Sequence, residues 1–412
     1  MNIYLCIIVA ALLLEFILYT VSRFLDLKSL SKELPEEFKD YYNQDEYERS
    51  QEYTRENARF SYITSTFDLF IMLLVIFLGL FNYVDLWVLG FGFSPIITGL
   101  VFFGVLFFIQ DVIGIPFSLY RTFIIEEKYG FNKTSPRTYI MDKIKGYFLL
   151  IILGGLVLSL ILSFFQNFGD FAWLYAWVVL SGFLVLIQPL FTLVIAPMFN
   201  TFTPLDDGDL KDRINEFAKK VHFPITRIDV MDGSRRSSKA NAYFSGLGKN
   251  KRIALFDTLI EKHSVDELLS IIAHEVGHFK KRHNIKGIVL GVVQSGIMFF
   301  LLSLFLNNSD LFAAFKMENL SIYASLLFFT ILYSPIELLM SFVSNAISRK
   351  HEFEADNFAK QSIGTGEHLI SGLKNLTVTS LGNLTPHPLT VWLSYSHPTV
   401  IKRIEALKGK NT

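Results

Sequence analysis

Seven apolar stretches of roughly bilayer-spanning length, near residues 3–22, 62–82, 93–117, 147–165, 171–199, 286–307 and 319–346, constrain this chain more than any other feature of it. A helix needs about 20 mostly apolar residues to cross the hydrocarbon core, and in lipid only helices or closed barrels satisfy every backbone polar group. Runs of this length specify helices. With 51% hydrophobic residues and a mean hydropathy of +0.39, the 412-residue chain is too apolar for soluble packing alone. The first run lacks a basic leader region and a small-x-small cleavage site, so it reads as a retained anchor. Pro189 and Pro197 in the fifth run and Pro335 in the seventh predict kinks, or faces turned to a polar cavity rather than to lipid.

Lys plus Arg and Asp plus Glu are equal at 38 each, so no net field points to a nucleic acid. The basic residues matter by location. They are abundant in 23–61, 118–146 and 200–285, absent from 83–92 and 166–170, and reduced to Lys316 in 308–318. This alternation supports seven spans independently of hydropathy. It predicts an N-terminus outside, with 200–285 and the tail from about 347 together on the cytoplasmic side. The one cysteine, Cys6, lies in an apolar run and reads as a core residue, which excludes a disulfide framework and a thiolate metal site.

Residues 200–285 read as a soluble α+β segment: a helix near 208–220, a strand at 226–231, a turn at Asp232-Gly233, and strands near 240–246 and 251–257. The Gly246 to Asn250 connection signals a hairpin. The 31–61 stretch, dense in charge and tyrosine, predicts a solvated helix.

Ser264-Val265-Asp266-Glu267 has the form of a capping box, and Leu268, Leu269, Ile271 and Ile272 supply an apolar helical face. His274-Glu275-Val276-Gly277-His278 is thereby placed on a helix. Histidines four apart share a face and can converge on one Zn²⁺, with Glu275 beside them to take a proton from water. Catalytic zinc needs a third protein ligand, and Glu352 is assigned that role. Asp356, one turn on, is assigned as the acceptor that fixes the N–H of a ligating histidine. Spacing alone leaves both equally readable as charges of a solvated juxtamembrane helix. His351 reads as a surface residue, and Glu354 points away from the Glu352 face. Ser396-His397-Pro398 is expected to open another helix with Ser396 as N-cap. There His397 could donate to an oxyanion with Arg403 as a cationic brace, or simply be a polar residue at a helix start.

These residues resemble the type I CAAX prenyl endopeptidase family. The similarity runs through His274 to His278, Glu352-Phe353-Glu354-Ala355-Asp356, Ser396-His397-Pro398 with Arg403, Asn241-Ala242-Tyr243-Phe244 and Lys249 to Leu259. It extends to Glu126 to Lys133 and to Ala196 to Asn200 with Thr203-Pro204-Leu205, and so covers most of the chain beyond residue 60. The resemblance implies an α-helical integral membrane protein, seven helices around a water-filled chamber, with an α+β zinc protease domain at its cytoplasmic mouth. It implies zinc on His274, His278 and Glu352, one per chain, with Glu275 and His397 catalytic. It also implies substrate pairing along Asn241, Ala242 and Tyr243. Cleavage would release the last three residues of a C-terminal Cys-aliphatic-aliphatic-X sequence bearing a prenyl group.

The expected organisation is a membrane domain over 1–199, a protease segment over 200–285, two further spans over 286–346, and the rest of the protease domain over 347–412. The expected partners are a peptide or protein substrate, prenylated or not, and membrane lipid; the sequence sets no oligomeric state. Lys408 to Thr412 lacks a dilysine-type tail, which leads to the expectation of a bacterial cytoplasmic membrane, or the endoplasmic reticulum in a eukaryote. Rival functions are general turnover of membrane proteins, a site-2-type intramembrane protease, and a non-catalytic scaffold or metal transporter. The basic residues after the motif argue against the second and Glu275 against the third.

Overall fold

The structure, a computed structural model, describes residues 2–245 and 251–409. Among these, seven helices are long and apolar enough to cross a membrane: Ile3–Ser29, Gln44–Leu78, Pro95–Glu126, Pro136–Asn167, Gly169–Phe199, His283–Phe305 and Ile322–Ile363. Each contains most of one apolar run, and several continue beyond it. Helical hydrogen bonding does not stop where lipid stops, so the seventh span runs on as the charged helix that carries Glu352 and Asp356. The expected interruption at Pro189 is a local widening: a π-helical turn over Phe191–Ile195 follows it. Helix Ile322–Ile363 passes through Pro335 unbroken.

No more than 17% of any spanning window is buried. Most of the surface of each span is therefore left open, to the outside or to the space between the helices. Between the third and fourth spans, Lys143 Nζ lies 2.6 Å from Asp111 Oδ1, and the Tyr147 hydroxyl donates to Asp111 Oδ2 at 2.5 Å. Such ionised groups within spans need polar surroundings rather than lipid, which fits an internal hydrated chamber. At the end of the spans away from the sheet, Phe81, Phe312, Phe315 and Phe328 form a buried aromatic plug.

The soluble part holds a four-stranded sheet: β1 (Phe202–Pro204), β2 (Ile225–Met231), β3 (Ala242–Ser245) and β4 (Lys251–Phe256), in the order β1-β2-β4-β3. β2 and β4 are parallel, while β3 runs antiparallel to β4 with Ala242 opposite Leu255. The Gly246 to Asn250 turn, and with it Lys249 and Asn250, lies outside the described residues. Helix Asp209–Lys220 forms where it is expected.

The 31–61 stretch departs from expectation. Its helix begins only at Gln44, because Asn43 and Glu46 make a reciprocal capping box, and Pro35 starts a short 3₁₀ turn before it. Phe38, Tyr42 and Tyr47 are not solvated; they join one core with Ile214, Ile272 and Ile404. The segments 200–285 and 347–409 share that core, and so lie on one side of the membrane domain.

Candidate metal centre and catalytic groove

The helix Val265–Lys280 starts at the Ser264–Glu267 capping box, with both reciprocal bonds made. Its apolar stripe, Leu268, Leu269, Ile271, Ile272 and Val276, is buried, which turns His274 and His278 toward the extension of the seventh span. Gly277 sets how closely the two helices meet. A Cβ there would stand 3.1 Å from both Cα and O of Ala355, itself fully buried. Alanine for glycine usually favours a helix by about 1 kcal/mol. Here the obstacle is backbone that cannot swing aside. Gly277→Ala is therefore expected to lower the thermal midpoint, and Gly277→Val to lower it further; a more stable Gly277→Ala protein would contradict this close approach.

That approach brings three donors together. His274 Nε2 lies 3.0 Å from His278 Nε2 and 3.4 Å from Glu352 Oε2, and His278 Nε2 lies 3.2 Å from Glu352 Oε1. Tetrahedral bonds of the usual Zn–N length put ligand atoms about 3.3 Å apart. The two imidazole nitrogens, and the approach of one carboxylate oxygen to each of them, are close to that spacing. Glu352 is buried, and its Oε2 has no hydrogen-bond partner although Arg403 Nη1 stands 3.4 Å away. An orphaned carboxylate oxygen between two converging imidazole nitrogens is what a metal site presents without its metal. The donor set fits a divalent ion of borderline softness.

The reverse side of His274 is tied down as well. Its Nδ1 lies 2.8 Å from Asp356 Oδ1, and Arg403 donates to both Asp356 oxygens, through Nε at 2.8 Å and Nη2 at 2.6 Å. Burial works against the His274 imidazolium, but hydrogen bonds to Asp356 and Glu352 outweigh it and raise the pKa to about 9. Glu275 points out of the cluster into the groove, and burial pushes its carboxyl above the ordinary range.

His397 is exposed, with Nε2 3.4 Å from Glu352 Oε1 and Nδ1 2.9 Å from Ser396 Oγ. Ser396 is not a helix cap. The helix begins at Val400 and Thr399 caps it, accepting from the Lys402 N–H. Pro398 biases the residue before it toward extended backbone, which leaves His397 on a loop facing the cluster.

β3 is an edge strand, and its residues border the groove. A cavity of about 140 Å³ opens beside Asn241, Ala242, Leu369 and Leu373, and one of about 330 Å³ beside Tyr243, Phe244 and Phe279. Both share His274, Glu275, Glu352 and His397. An extended chain laid along β3 would cross the cluster and fill a cavity on either side.

Two residues to which the sequence assigns no role belong to this neighbourhood. His283, which follows the motif directly after Lys280, Lys281 and Arg282, is buried against His278, and Glu354, on the far face of its helix, reaches His283. A histidine five residues after the second motif histidine was the available signal. His351 does not join the cluster but stacks on His283.

Residues 204–411 match peptidase family M48, and residues 23–201 match the N-terminal part of CAAX prenyl proteases, described as five membrane helices. CAAX prenyl protease 1 of Saccharomyces cerevisiae is 34% identical over 403 residues, covering 91% of this chain and 88% of that one. The CAAX prenyl protease 1 homolog of Arabidopsis thaliana is 32% identical over 409 residues, covering 96% of each. The crystal structure of S. mikatae Ste24p is similar over 98% of both chains, with a TM-score of 0.92 and 32% identity. The chain belongs to peptidase family M48, as an integral-membrane metalloprotease with the membrane domain of the CAAX prenyl proteases.

Proposed function

We propose that this protein is a zinc-dependent membrane endopeptidase that removes the C-terminal tripeptide from prenylated CAAX-type substrates. The carrying observation is the convergence of His274 Nε2, His278 Nε2 and the Glu352 carboxylate, each imidazole within 3.4 Å of a carboxylate oxygen, beside Glu275 and near the open edge of β3. In this reading His274, His278 and Glu352 hold one zinc per chain. Asp356 keeps the proton of His274 on Nδ1, and Arg403 braces Asp356. The residues at 200–285 and from 347 onward act as one protease domain over the membrane helices. The distribution of Lys and Arg supports a site facing the cytoplasm, in a bacterial cytoplasmic membrane or, in a eukaryote, the endoplasmic reticulum, and fractionation of the native source distinguishes the two.

When bound, zinc supplies a Lewis acid that polarises the scissile carbonyl and acidifies water. The substrate backbone pairs with Asn241, Ala242 and Tyr243, which holds the scissile bond between the two cavities. Glu275 takes a proton from the attacking water and delivers it to the leaving amine. Its raised basicity suits both halves of that transfer. Facing the Glu352 carboxylate at 3.4 Å, His397 Nε2 carries the proton it donates to the developing oxyanion, and Nδ1 then accepts from the Ser396 hydroxyl.

Zinc on His274 Nε2 requires the proton held there below about pH 9 to leave, since Nδ1–H stays with Asp356. Zinc binding at pH 7 is therefore expected to release about one proton from this residue. Affinity should rise about tenfold per pH unit toward pH 9. Calorimetry in buffers of different ionisation enthalpy measures this, and a buffer-independent heat would contradict it.

Cleavage of a farnesylated and a non-prenylated CAAX peptide by the purified protein tests the substrate class. Faster release of the tripeptide from the farnesylated peptide supports the proposal. Equal rates favour a general membrane-protein protease, and cleavage at other bonds overturns the CAAX reading.

A further inference from the structure

The basic turn after the motif helix reaches back to the metal centre. The helix ends at Lys280, and Arg282 takes a left-handed conformation, φ +57°, that redirects the chain into the sixth span. The turn tucks His283 beneath His278, with only 3% of its side chain exposed. His283 Nδ1 lies 3.1 Å from His278 Nδ1, and His283 Nε2 lies 3.0 Å from Glu354 Oε2. The His351 ring stacks on the other side, centroids 3.9 Å apart and planes 9° apart, so the His283 imidazole cannot turn freely. Lys286 and Lys350 bracket the Glu354 carboxylate, each at 4.0 Å.

Counting protons fixes the direction of this chain. His278 Nε2 faces His274 and Glu352, so Nδ1 carries the proton once Nε2 is committed to a metal. That N–H can only donate to His283 Nδ1, which must then be the acceptor. His283 is left with its proton on Nε2, and Glu354 receives it. Each nitrogen has one role, and one tautomer of each ring satisfies all of them.

Resting on the zinc reading above, we propose that His283 and Glu354 are a positioning pair that orients His278 toward the metal, the counterpart of Asp356 and Arg403 behind His274. Each zinc-binding histidine is then held from behind by a hydrogen-bonded pair ending in charge. Outer partners of this kind typically contribute 10–100-fold to metal affinity. If the pair only braced the turn into the sixth span, its loss would lower stability with and without metal and leave zinc affinity unchanged.

The test is zinc affinity of the full-length protein in detergent by chelator competition, with the Co²⁺ electronic spectrum as a report on ligand geometry. Wild type and His274→Ala serve as controls for the zinc reading itself. Wild type without stoichiometric zinc, or His274→Ala with wild-type affinity, would sink that reading and not this one alone. Glu354→Ala, at a side chain 31% exposed and so tolerant of truncation, is expected to weaken zinc about tenfold with an unchanged metal-free thermal midpoint. His283→Leu should weaken it by about 10–100-fold and alter the Co²⁺ spectrum. His283→Gln should recover most of the loss, because its amide can accept from His278 and donate to Glu354. The double variant His283→Leu with Glu354→Ala should be no worse than His283→Leu alone. Glu354→Ala within twofold of wild type, or His283→Gln no better than His283→Leu, overturns the proposal. Should His283→Leu fail to fold, Glu354→Ala alone decides it.

Discussion

Glu275→Gln is expected to lower kcat for peptide cleavage by about 10²–10⁴-fold, the usual contribution of a positioned general base, while zinc content stays that of wild type. Glutamine keeps the volume of the side chain and cannot take a proton. Glu275 is outside the ligand cluster of His274, His278 and Glu352, so its replacement leaves the metal donors untouched. It borders both cavities flanking the cluster, where the scissile bond of a chain along β3 would lie. Single-turnover kinetics with metal analysis of the same sample make the measurement. More than a tenth of wild-type activity in the variant would remove Glu275 from the proton transfer.

Glu352→Ala should instead cost the metal. The carboxylate is 4% exposed and stands within 3.4 Å of His274, His278, His397 and Arg403. Its removal deletes a proposed ligand and leaves the buried Arg403 charge with Asp356 and, through space, Glu275 opposite it. Removing one member of a buried charged set typically costs about 3–5 kcal/mol, or roughly 10²–10⁴ in an equilibrium constant. Zinc should be lost on dialysis, and activity should return in part with excess zinc. Wild-type zinc content in an inactive Glu352→Ala protein would mean that Glu352 acts on the substrate and that another group completes the metal site.

The two variants separate chemistry from metal retention, and their sites differ in how openly the sequence displays them. Hydropathy marks all seven spans because each must be apolar over a bilayer's thickness. It cannot mark their ends where a helix continues into water, as Ile322–Ile363 does. The Ser264 capping box and the apolar stripe of the motif helix are local signals and form as expected. Phe38 and Tyr42 are hidden among charges, since nothing local tells an aromatic residue that a core lies nearby. Ser396 and Thr399 are equally able to cap a helix, and the strain that Pro398 places on its predecessor decides for Thr399. Gly277 fills a free position of the motif, and only the pairing of two helices reveals its need to be small. His283 was obscured for a similar reason: a left-handed turn at Arg282, invisible in a basic run, is what buries it.

The central claim is that this metal centre cuts CAAX-type chains three residues from their end. Its most direct test is mass analysis of the products from a farnesylated CAAX peptide, with purified protein as isolated, after chelation, and after zinc is restored. The account predicts one intact tripeptide and one farnesyl-cysteine-terminated fragment, absent after chelation and regained with zinc. Cleavage that survives complete metal removal, or zinc-dependent cleavage at other bonds only, would contradict it.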